Sequence, residues 1–293
     1  MMNSFDFALK SIIQLLSCFI CILFFSFNCF ADSIAQKWAA ITNPAAITGN
    51  AQSIGTYNAG CLSGAVSLPL NGEGYQVMRL SRNRYYGHPA LIKFIQDLGK
   101  QAVDKKIGTL LIGDLGQPRG GPTISGHRSH QTGLDVDVWF LLSEQANQHL
   151  LTVDERETWS ATSVVNPVDD NVDRQHWSLL NEKVLELAAL RPEVDRIFVN
   201  PSIKREICNH KTPASSMWLH KIRPWWKHDD HFHIRLKCPV NNPNCAGQEP
   251  LATADGCGAD LDWWFTAEAK TPAQGKPAPP PPLPSLCEQV LKN

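Results

Sequence analysis

The sequence predicts an α+β fold, in which flanking helices and long loops surround a central, mostly antiparallel sheet stapled by disulfides. Segments 74–80, 133–140 and 231–238 alternate apolar and polar residues with the period of half-buried strands. Segments 88–106 and 176–194 have helical periodicity instead. Because strands and helices mix without regular β–α–β alternation, a parallel doubly wound sheet is disfavoured.

The first 31 residues have the pattern of a secretory signal peptide. Lys10 precedes the apolar run "SIIQLLSCFICILFFSFNCFA", which ends in the small residue Ala31 before Asp32. We therefore expect export and cleavage after Ala31. A retained membrane anchor is the alternative, because a run of about 20 apolar residues can span a bilayer.

The charge balance excludes some classes of partner. The chain of 293 residues has 27 basic and 28 acidic side chains, for a net charge of -1. Proteins that bind nucleic acid, or are held on membranes by charge, usually carry a basic excess.

We expect a folded domain over 32–266 and a proline-rich C-terminal strap over 267–293.

The elements follow from local pattern. Residues 32–60 carry few helix or strand signals. The remaining predictions are, in chain order, a strand at 74–80, a helix at 88–106, a buried strand at 107–116, a glycine-rich loop at 116–127, a strand at 133–140, a helix at 176–194 ending near Pro192, a short strand at 196–201, a helical turn at 204–210 and a strand at 231–238.

The proline-rich segment 269–285 predicts extended polyproline II structure, or alternatively a disordered tail. Outside the leader the chain has an even set of cysteines, typical of disulfides in an exported protein: Cys61, Cys208, Cys238, Cys245, Cys257 and Cys287. Six cysteines allow 15 pairings. We expect Cys238–Cys245 first, because they enclose a turn-rich loop, and Cys287 could tie the strap back. A cysteine zinc site is disfavoured, because no CxxC spacing occurs.

Two strands carry the chemistry. In "HFHIRLKC", alternation directs His231, His233 and Arg235 to one side of the sheet. In "GLDVDVWF", Asp135 and Asp137 share a face, and "HRSHQTG" places His127 and His130 in the loop before it.

If the two strands are neighbours, one polar face gathers His130, Asp137 and His233. Two imidazoles and a carboxylate suit a catalytic zinc ion, which keeps its fourth position for water and lowers the pKa of that water to about 7. The alternative is that Asp135 and Asp137 form the solvated face of an edge strand. No HExxH, GxSxG or SxxK motif occurs, which disfavours the helical zinc proteases and serine acyl transfer.

The segments "SHQTGLDVDVW" and "RPWWKHDDHFHIRL" resemble the penicillin-insensitive murein endopeptidases. That family belongs to a group of zinc peptidases that includes lysostaphin-type enzymes, D-Ala-D-Ala metallopeptidases and the hedgehog signalling domain. The resemblance covers essentially the whole mature chain, through "AQSIGTYNAGCLSGA", "YYGHPALIKFIQ", "IFVNPSIK" and "GCGADL".

The resemblance implies a role for each matching position. His130, Asp137 and His233 would hold the catalytic zinc. His231 would act beside the metal as general base or as a donor to the oxyanion, and His228 would assist in proton transfer. Which of His228 and His231 is the principal base stays open.

His127 matches a family position that resembles a ligand of a second metal at a subunit contact, and a homodimer would follow. The partner ligands are expected in the segment 163–177, where the candidates are Asp169, Asp170, Asp173 and His176. The alternative for His127 is a hydrogen-bonding residue in the active-site wall.

Other residues have secondary interpretations. His88, before Pro89, is expected to cap a helix. Arg235 could contact a substrate carboxylate or pair with a nearby aspartate. Four tryptophans could line a groove, although core packing is the favoured prediction: Trp225, Trp226, Trp263 and Trp264.

The expected function is hydrolysis of D-alanyl-meso-diaminopimelyl cross-links between peptidoglycan stem peptides, in the periplasm and without sensitivity to β-lactams. The alternatives are D-Ala-D-Ala carboxypeptidase or dipeptidase activity, and a non-catalytic murein-binding protein. The sequence does not distinguish zinc from manganese or iron at a His/His/Asp site.

Overall fold

The computed structural model describes residues 33–46, 49–124, 128–271 and 279–293. The predicted signal peptide lies outside the described residues. No helix in the described ranges is long and apolar enough to cross a membrane.

The described strands are β1 Gln52–Thr56, β2 Ala59–Ser63, β3 Val66–Ser67, β4 Asn71–Gly72, β5 Tyr75–Val77, β6 Tyr86–Gly87, β7 Leu110–Ile112, β8 Asp135–Trp139, β9 Val165–Asn166, β10 Asn171–Val172, β11 Val194–Val199, β12 Ile222–Pro224 and β13 His231–Leu236. The α-helices are α1 Ile34–Ala39, α2 Pro89–Asp104, α3 Glu144–Gln148, α4 Val153–Thr158, α5 Leu179–Leu190, α6 Pro201–Asn209, α7 Ala259–Asp262, α8 Ala267–Lys270 and α9 Ser285–Lys292. Short 3₁₀ helices span Leu80–Arg82, Pro213–Met217, Leu219–Lys221 and Trp263–Phe265.

A seven-stranded sheet with the order β12-β11-β13-β8-β7-β5-β4 forms the centre of the fold. The pairs β5–β7 and β11–β12 are parallel. The pairs β4–β5, β7–β8, β8–β13 and β11–β13 are antiparallel. The α+β prediction is therefore confirmed, and the sheet is mixed.

The main core lies on the apolar face of this sheet. Val136 and Val138 of β8 and Phe232 and Ile234 of β13 are at most 1% exposed, as their alternation predicts. Helices α2 and α5 contact one another and pack on β5 and β11 respectively.

The helices begin where the sequence provides caps. His88 accepts a hydrogen bond at Nδ1 from the Ala90 N–H, 3.1 Å away, and Pro89 follows at the first helical position of α2. The prediction that His88 caps a helix is confirmed. Asn200 caps α6 in the same way, with Pro201 after it, so the predicted helical turn at 204–210 is a nine-residue helix.

The segment 32–60, for which the sequence gives few signals, contains both a helix and a hairpin. Strands β1 and β2 pair with each other, and α1 lies in a small second core with the C-terminal helix α9. The members of that core are Trp38, Ala45, Ile54, Cys61, Cys287 and Val290. The N-terminal and C-terminal parts of the described chain therefore meet at this hairpin.

All six cysteines outside the leader form disulfides, in the pairs Cys61–Cys287, Cys208–Cys257 and Cys238–Cys245. The predicted Cys238–Cys245 pair is confirmed, and the alternative of a cysteine zinc site is wrong. The proline-rich segment is shorter than predicted, because Ala269 and Lys270 end α8 and Ser285 begins α9. Part of it, 272–278, lies outside the described residues.

Candidate metal centre

The candidate site is built on the polar face of two neighbouring strands. Strands β8 and β13 run antiparallel, with His233 opposite Asp137 and Arg235 opposite Asp135. Directly opposed residues of an antiparallel pair present their side chains on the same face of the sheet. Asp135 is fully buried and Asp137 is 4% exposed, because β8 lies between β13 and β7. The alternative of a solvated edge strand is therefore wrong.

His130 reaches this face from the loop before β8. Its backbone is left-handed, with φ 69°, and Gly133 three residues later also has φ 69°. These two residues turn the chain so that His130 lies over the strand that follows. Its Nε2 is 3.4 Å from Asp137 Oδ1, and its ring centroid is 4.7 Å from that of His233.

His130, Asp137 and His233 fit a metal ion. Each offers one ligand atom, and these atoms all lie within 4.8 Å of one another. All three side chains are buried, which removes competing water. Imidazole nitrogen and carboxylate oxygen are the donors that catalytic zinc sites use, with three protein ligands and one open position. The described part of the chain contains no second cluster of three potential ligands this close together.

Asp135 is a functional candidate that sequence reasoning missed. The two ring nitrogens of His233 have separate partners: Nδ1 lies 3.0 Å from Asp137 Oδ1, and Nε2 lies 2.7 Å from Asp135 Oδ1. Nδ1 therefore faces the ligand group, and an Nε2–H can donate to Asp135. Metal-binding histidines usually donate their second N–H to a carboxylate in this way, which fixes the tautomer and the ring orientation. The signal in the sequence is the "DVD" alternation, which places Asp135 on the face of Asp137.

Arg235 completes this arrangement from β13. Its Nε donates to Asp135 Oδ1 at 2.6 Å. The ion pair with a nearby aspartate, one of the two predictions for Arg235, is therefore present. The guanidinium also lies over the ring of Tyr57, 3.7 Å from its centroid. Asp135 is thus shared by a cation and by an imidazole of the candidate metal group.

His231 and His228 lie next to the ligand group. His231 Nε2 is 3.7 Å from Asp137 Oδ1, and its Nδ1 contacts the Asp230 carboxylate. The His228 ring centroid is 5.0 Å from that of His231. His228 donates its Nδ1–H to the Trp226 carbonyl at 2.9 Å, so its Nε2 carries the lone pair. Left-handed backbone at Lys227 and His228 makes the turn that leads to β13.

The surroundings of the site shift the pKa values of its histidines in different directions. Burial disfavours the charged form of His231, but the carboxylates of Asp137 and Asp230 outweigh it and raise the pKa of His231 to about 9. Burial without a comparable partner lowers the pKa of His228 to about 4. Burial also opposes protonation of His130, yet Asp137 raises the pKa of that imidazole. Protons would therefore compete with a metal ion for this group.

The four candidate partners of the second metal do not belong to this group. His127 lies outside the described residues. Asp173 pairs with His176 at 2.8 Å, Asp169 accepts a hydrogen bond from the Asn171 N–H, and Asp170 contacts Lys270. Within the described chain these four residues do not make up a group of three potential ligands, and the second metal site stays a prediction.

Three of the four tryptophans lie on the surface. Trp225 and Trp263 are 55% and 45% exposed, and Trp226 is 38% exposed, so the prediction of core packing is wrong for them. Trp264 contacts all three, with ring centroids 5.4–6.2 Å apart.

The fold and the site together define a class: an α+β protein with a buried His/His/Asp group that could hold a metal ion. Residues 53–292 match the family described as penicillin-insensitive murein endopeptidase. A relative of that name from Haemophilus influenzae is 41% identical over 271 residues, covering 92% of each chain. Relatives of the same name from Yersinia pestis and Klebsiella pneumoniae are 42% identical over 267 residues, covering 88% of this chain and 91% of theirs. The chain therefore belongs to the penicillin-insensitive murein endopeptidase family.

Proposed function

We propose that this protein is an exported zinc endopeptidase that hydrolyses D-alanyl-meso-diaminopimelyl cross-links of peptidoglycan. The main observation in support of this proposal is the buried group of His130, Asp137 and His233, whose potential ligand atoms lie within 4.8 Å of one another. Membership of the family and the names of its relatives support murein as the substrate.

His130, Asp137 and His233 would hold the ion. When bound, zinc supplies Lewis acidity, which polarises a scissile carbonyl and brings the pKa of a water molecule near 7. One carboxylate among three ligands leaves net positive charge at the site, which suits a developing oxyanion.

The remaining residues of the site position groups and move protons. Asp135 holds His233 with its Nδ1 directed at the ligand group, and Arg235 holds Asp135. His231, whose Nε2 is 3.7 Å from Asp137, stands where a proton can pass between the attacking water, the oxyanion and the departing amine. His228 assists, since its ring centroid is 5.0 Å from that of His231. Its Nδ1 bonds to the Trp226 carbonyl, and this leaves its Nε2 as the nitrogen that can accept a proton.

Location and inhibitor response follow from the same chemistry. Three disulfides support export to an oxidising compartment such as the periplasm. A water nucleophile forms no acyl-enzyme, so β-lactams, which trap a serine, leave the activity unchanged. A stable penicilloyl adduct on the protein would contradict this.

The decisive experiment digests purified cross-linked muropeptide dimers and identifies the products by mass spectrometry. We expect conversion of dimers to two monomers in zinc, and loss of this activity in chelator. His233→Ala should reduce the rate at least 100-fold, because even residues behind the ligands cost about 10- to 100-fold. The matched control is His149→Ala, an exposed histidine that pairs with Glu155, and it should keep the wild-type rate.

The products also separate the alternatives. Release of one alanine per peptide with cross-links intact would replace the proposal with a carboxypeptidase. Binding to cell-wall sacculi without any product, by folded and zinc-loaded protein, would replace it with a non-catalytic murein-binding role.

A further inference from the structure

A cavity of about 140 Å³ lies beside the candidate metal group, on the same face of the sheet. It begins where Arg235 and Asp135 stand, two residues along β13 and β8 from His233 and Asp137. A strand rises about 3.3 Å per residue, so the cavity begins about 7 Å from the ligands. Its other walls come from Tyr57, from Thr132 and Leu134, from Asp195, and from the segments 236–238, which includes Lys237, and 245–248.

One wall of the cavity carries an anionic group that is held in place by hydrogen bonds. Asp135 is fully buried, and its Oδ1 receives the hydrogen bonds of Arg235 and His233. Its Oδ2 is also buried, yet it accepts no hydrogen bond from any residue that the structure describes. A buried carboxylate oxygen left without a donor is costly, and a donor carried by a ligand would satisfy it.

The same cavity also carries a cationic group that its neighbours hold in place. Arg235 is 6% exposed, and its plane is held by Tyr57 below it and by the Asp135 and Gln248 side chains at Nε and Nη1. Its Nη2 has no hydrogen-bond acceptor in the described residues. A guanidinium fixed in one plane is suited to carboxylate recognition.

We propose that this cavity binds an amino-carboxylate end group, in which an ammonium and a carboxylate share one carbon. The ammonium donates to Asp135 Oδ2 and the carboxylate accepts from Arg235 Nη2. This inference rests on the proposed function and deepens it: the end group is the free end of the diaminopimelyl side chain in the stem that supplies the D-alanine. Specificity for the stem peptide is thus physically joined to the positioning of His233, through Asp135.

The pairing of opposite charges explains how such a pocket selects. A ligand with only one of the two charges leaves either Asp135 Oδ2 or Arg235 Nη2 without a hydrogen-bond partner in a buried place, which is penalised more than a lost contact on the surface. Each charge-assisted bond should therefore contribute about tenfold or more in kcat/KM.

The first test needs no variant. Three synthetic dimers share one scissile bond and differ only at the end group, which is intact, amidated at the carboxylate or acetylated at the amine. The zinc-loaded wild type should cleave the intact dimer with kcat/KM at least about tenfold above either modified dimer, mainly through KM. Equal rates on all three would overturn the subsite and leave the proposed function standing. Cleavage of none would overturn both.

The second test separates binding from positioning. Arg235→Gln should abolish the preference for the carboxylate over its amide and keep the preference for the free amine. If Arg235 only holds Asp135 and His233 in place, all three rates fall together and their ratios stay at the wild-type values, which would overturn the assignment. Lys93→Gln, an exposed lysine of α2 outside the cavity, is the charge control and should keep the wild-type ratios.

Discussion

Asp135 and Asp137 are two residues apart on one strand, and their surroundings give the two carboxylates different roles. Asp137 lies among His130, His231 and His233, in the group that could hold a metal ion. Asp135 faces Arg235 and the far nitrogen of His233 instead. Alternation along the strand predicts that both share a face, but the division of roles depends on the register with β13. Register between strands 100 residues apart is a tertiary property that local pattern does not carry.

The contribution of Asp135 to metal binding can be measured with Asp135→Asn. The substitution keeps the size of the side chain and replaces a charge-assisted hydrogen bond to His233 with a neutral one. We expect zinc affinity to fall about tenfold, as for other partners of metal-binding histidines. Competition with a chromophoric chelator reports the affinity without reference to activity. Unchanged affinity would contradict the role, and Asp97→Asn on α2 serves as the control.

Lys204 has a buried amine away from the site. Its Nζ is enclosed by helix α6 and the segments that supply the Leu219 and Asp255 carbonyls, and it donates to Leu219 O at 2.7 Å. Burial, followed by the nearby charge of Arg223, lowers the pKa of Lys204 from 10.5 to about 7. A neutral amine still has two N–H donors, which match the two carbonyls.

This pKa predicts a pH dependence of stability. Between about pH 7 and 10.5 the unfolded chain holds a proton on Lys204 that the folded chain has lost. The unfolding free energy therefore rises with pH in that window, by at most about 1.4 kcal/mol per pH unit from this group. Urea unfolding at pH 7.5 and 9.5 should show a smaller rise for Lys204→Met than for wild type. Equal rises would show that Lys204 stays charged when buried.

At the scale of elements, local periodicity predicts α2 and β13 to within a few residues, because each buries one continuous apolar face. The hairpin of β1 and β2 is different, since distant residues hold it: the Ser53 N–H donates to Asn242, and its hydroxyl donates to the Thr132 carbonyl. Neither bond has a signal in the sequence around Ser53. The histidine motif likewise predicts the ligand group, whereas the cavity beside it depends on five separate segments.

Strand β8 depends on the conformation of Gly133 at its start. A Cβ there would lie 2.3 Å from Leu62 Cδ2 and 3.0 Å from the His88 nitrogen, at a φ of +69°. Gly133→Ala should therefore destabilise the protein by about 1–3 kcal/mol, through strain and overlap. Gly247→Ala is the control, because a Cβ at Gly247 has no neighbour within 4 Å. Denaturant unfolding measures both, and equal stability of the two variants would contradict the expectation.

For the whole molecule, the main long-range covalent link joins Cys61 of β2 to Cys287 of α9, 226 residues apart. Arg119 strengthens the same junction by donating to the Val290 and Leu291 carbonyls at 2.9 and 3.0 Å, near the C-terminal end of α9. The two ends of the described chain are thus held by a bond, a small core and a cap. The sequence shows the two cysteines, but it does not show that they pair with each other, nor which residues form the core and the cap.

Removing this link should be costly. Replacing Cys61 and Cys287 by alanine should lower the unfolding free energy by about 2–5 kcal/mol, because the unfolded chain gains the entropy of a very long loop. Replacing Cys238 and Cys245, which are 7 residues apart, should cost less, since their loop is short. Thermal unfolding of both variants under oxidising conditions tests the order. A larger loss from the short loop would contradict the entropic account.

The same bond changes what a cut in the backbone can do. Every peptide bond between residues 61 and 287 lies within a closed covalent ring. A protease that severs one exposed loop in that range opens the ring without releasing a fragment, and the two pieces remain on the same sheet and core. The damage would be invisible on a non-reducing gel and would appear as two bands only after a thiol is added. A single cut therefore leaves both pieces of the chain joined.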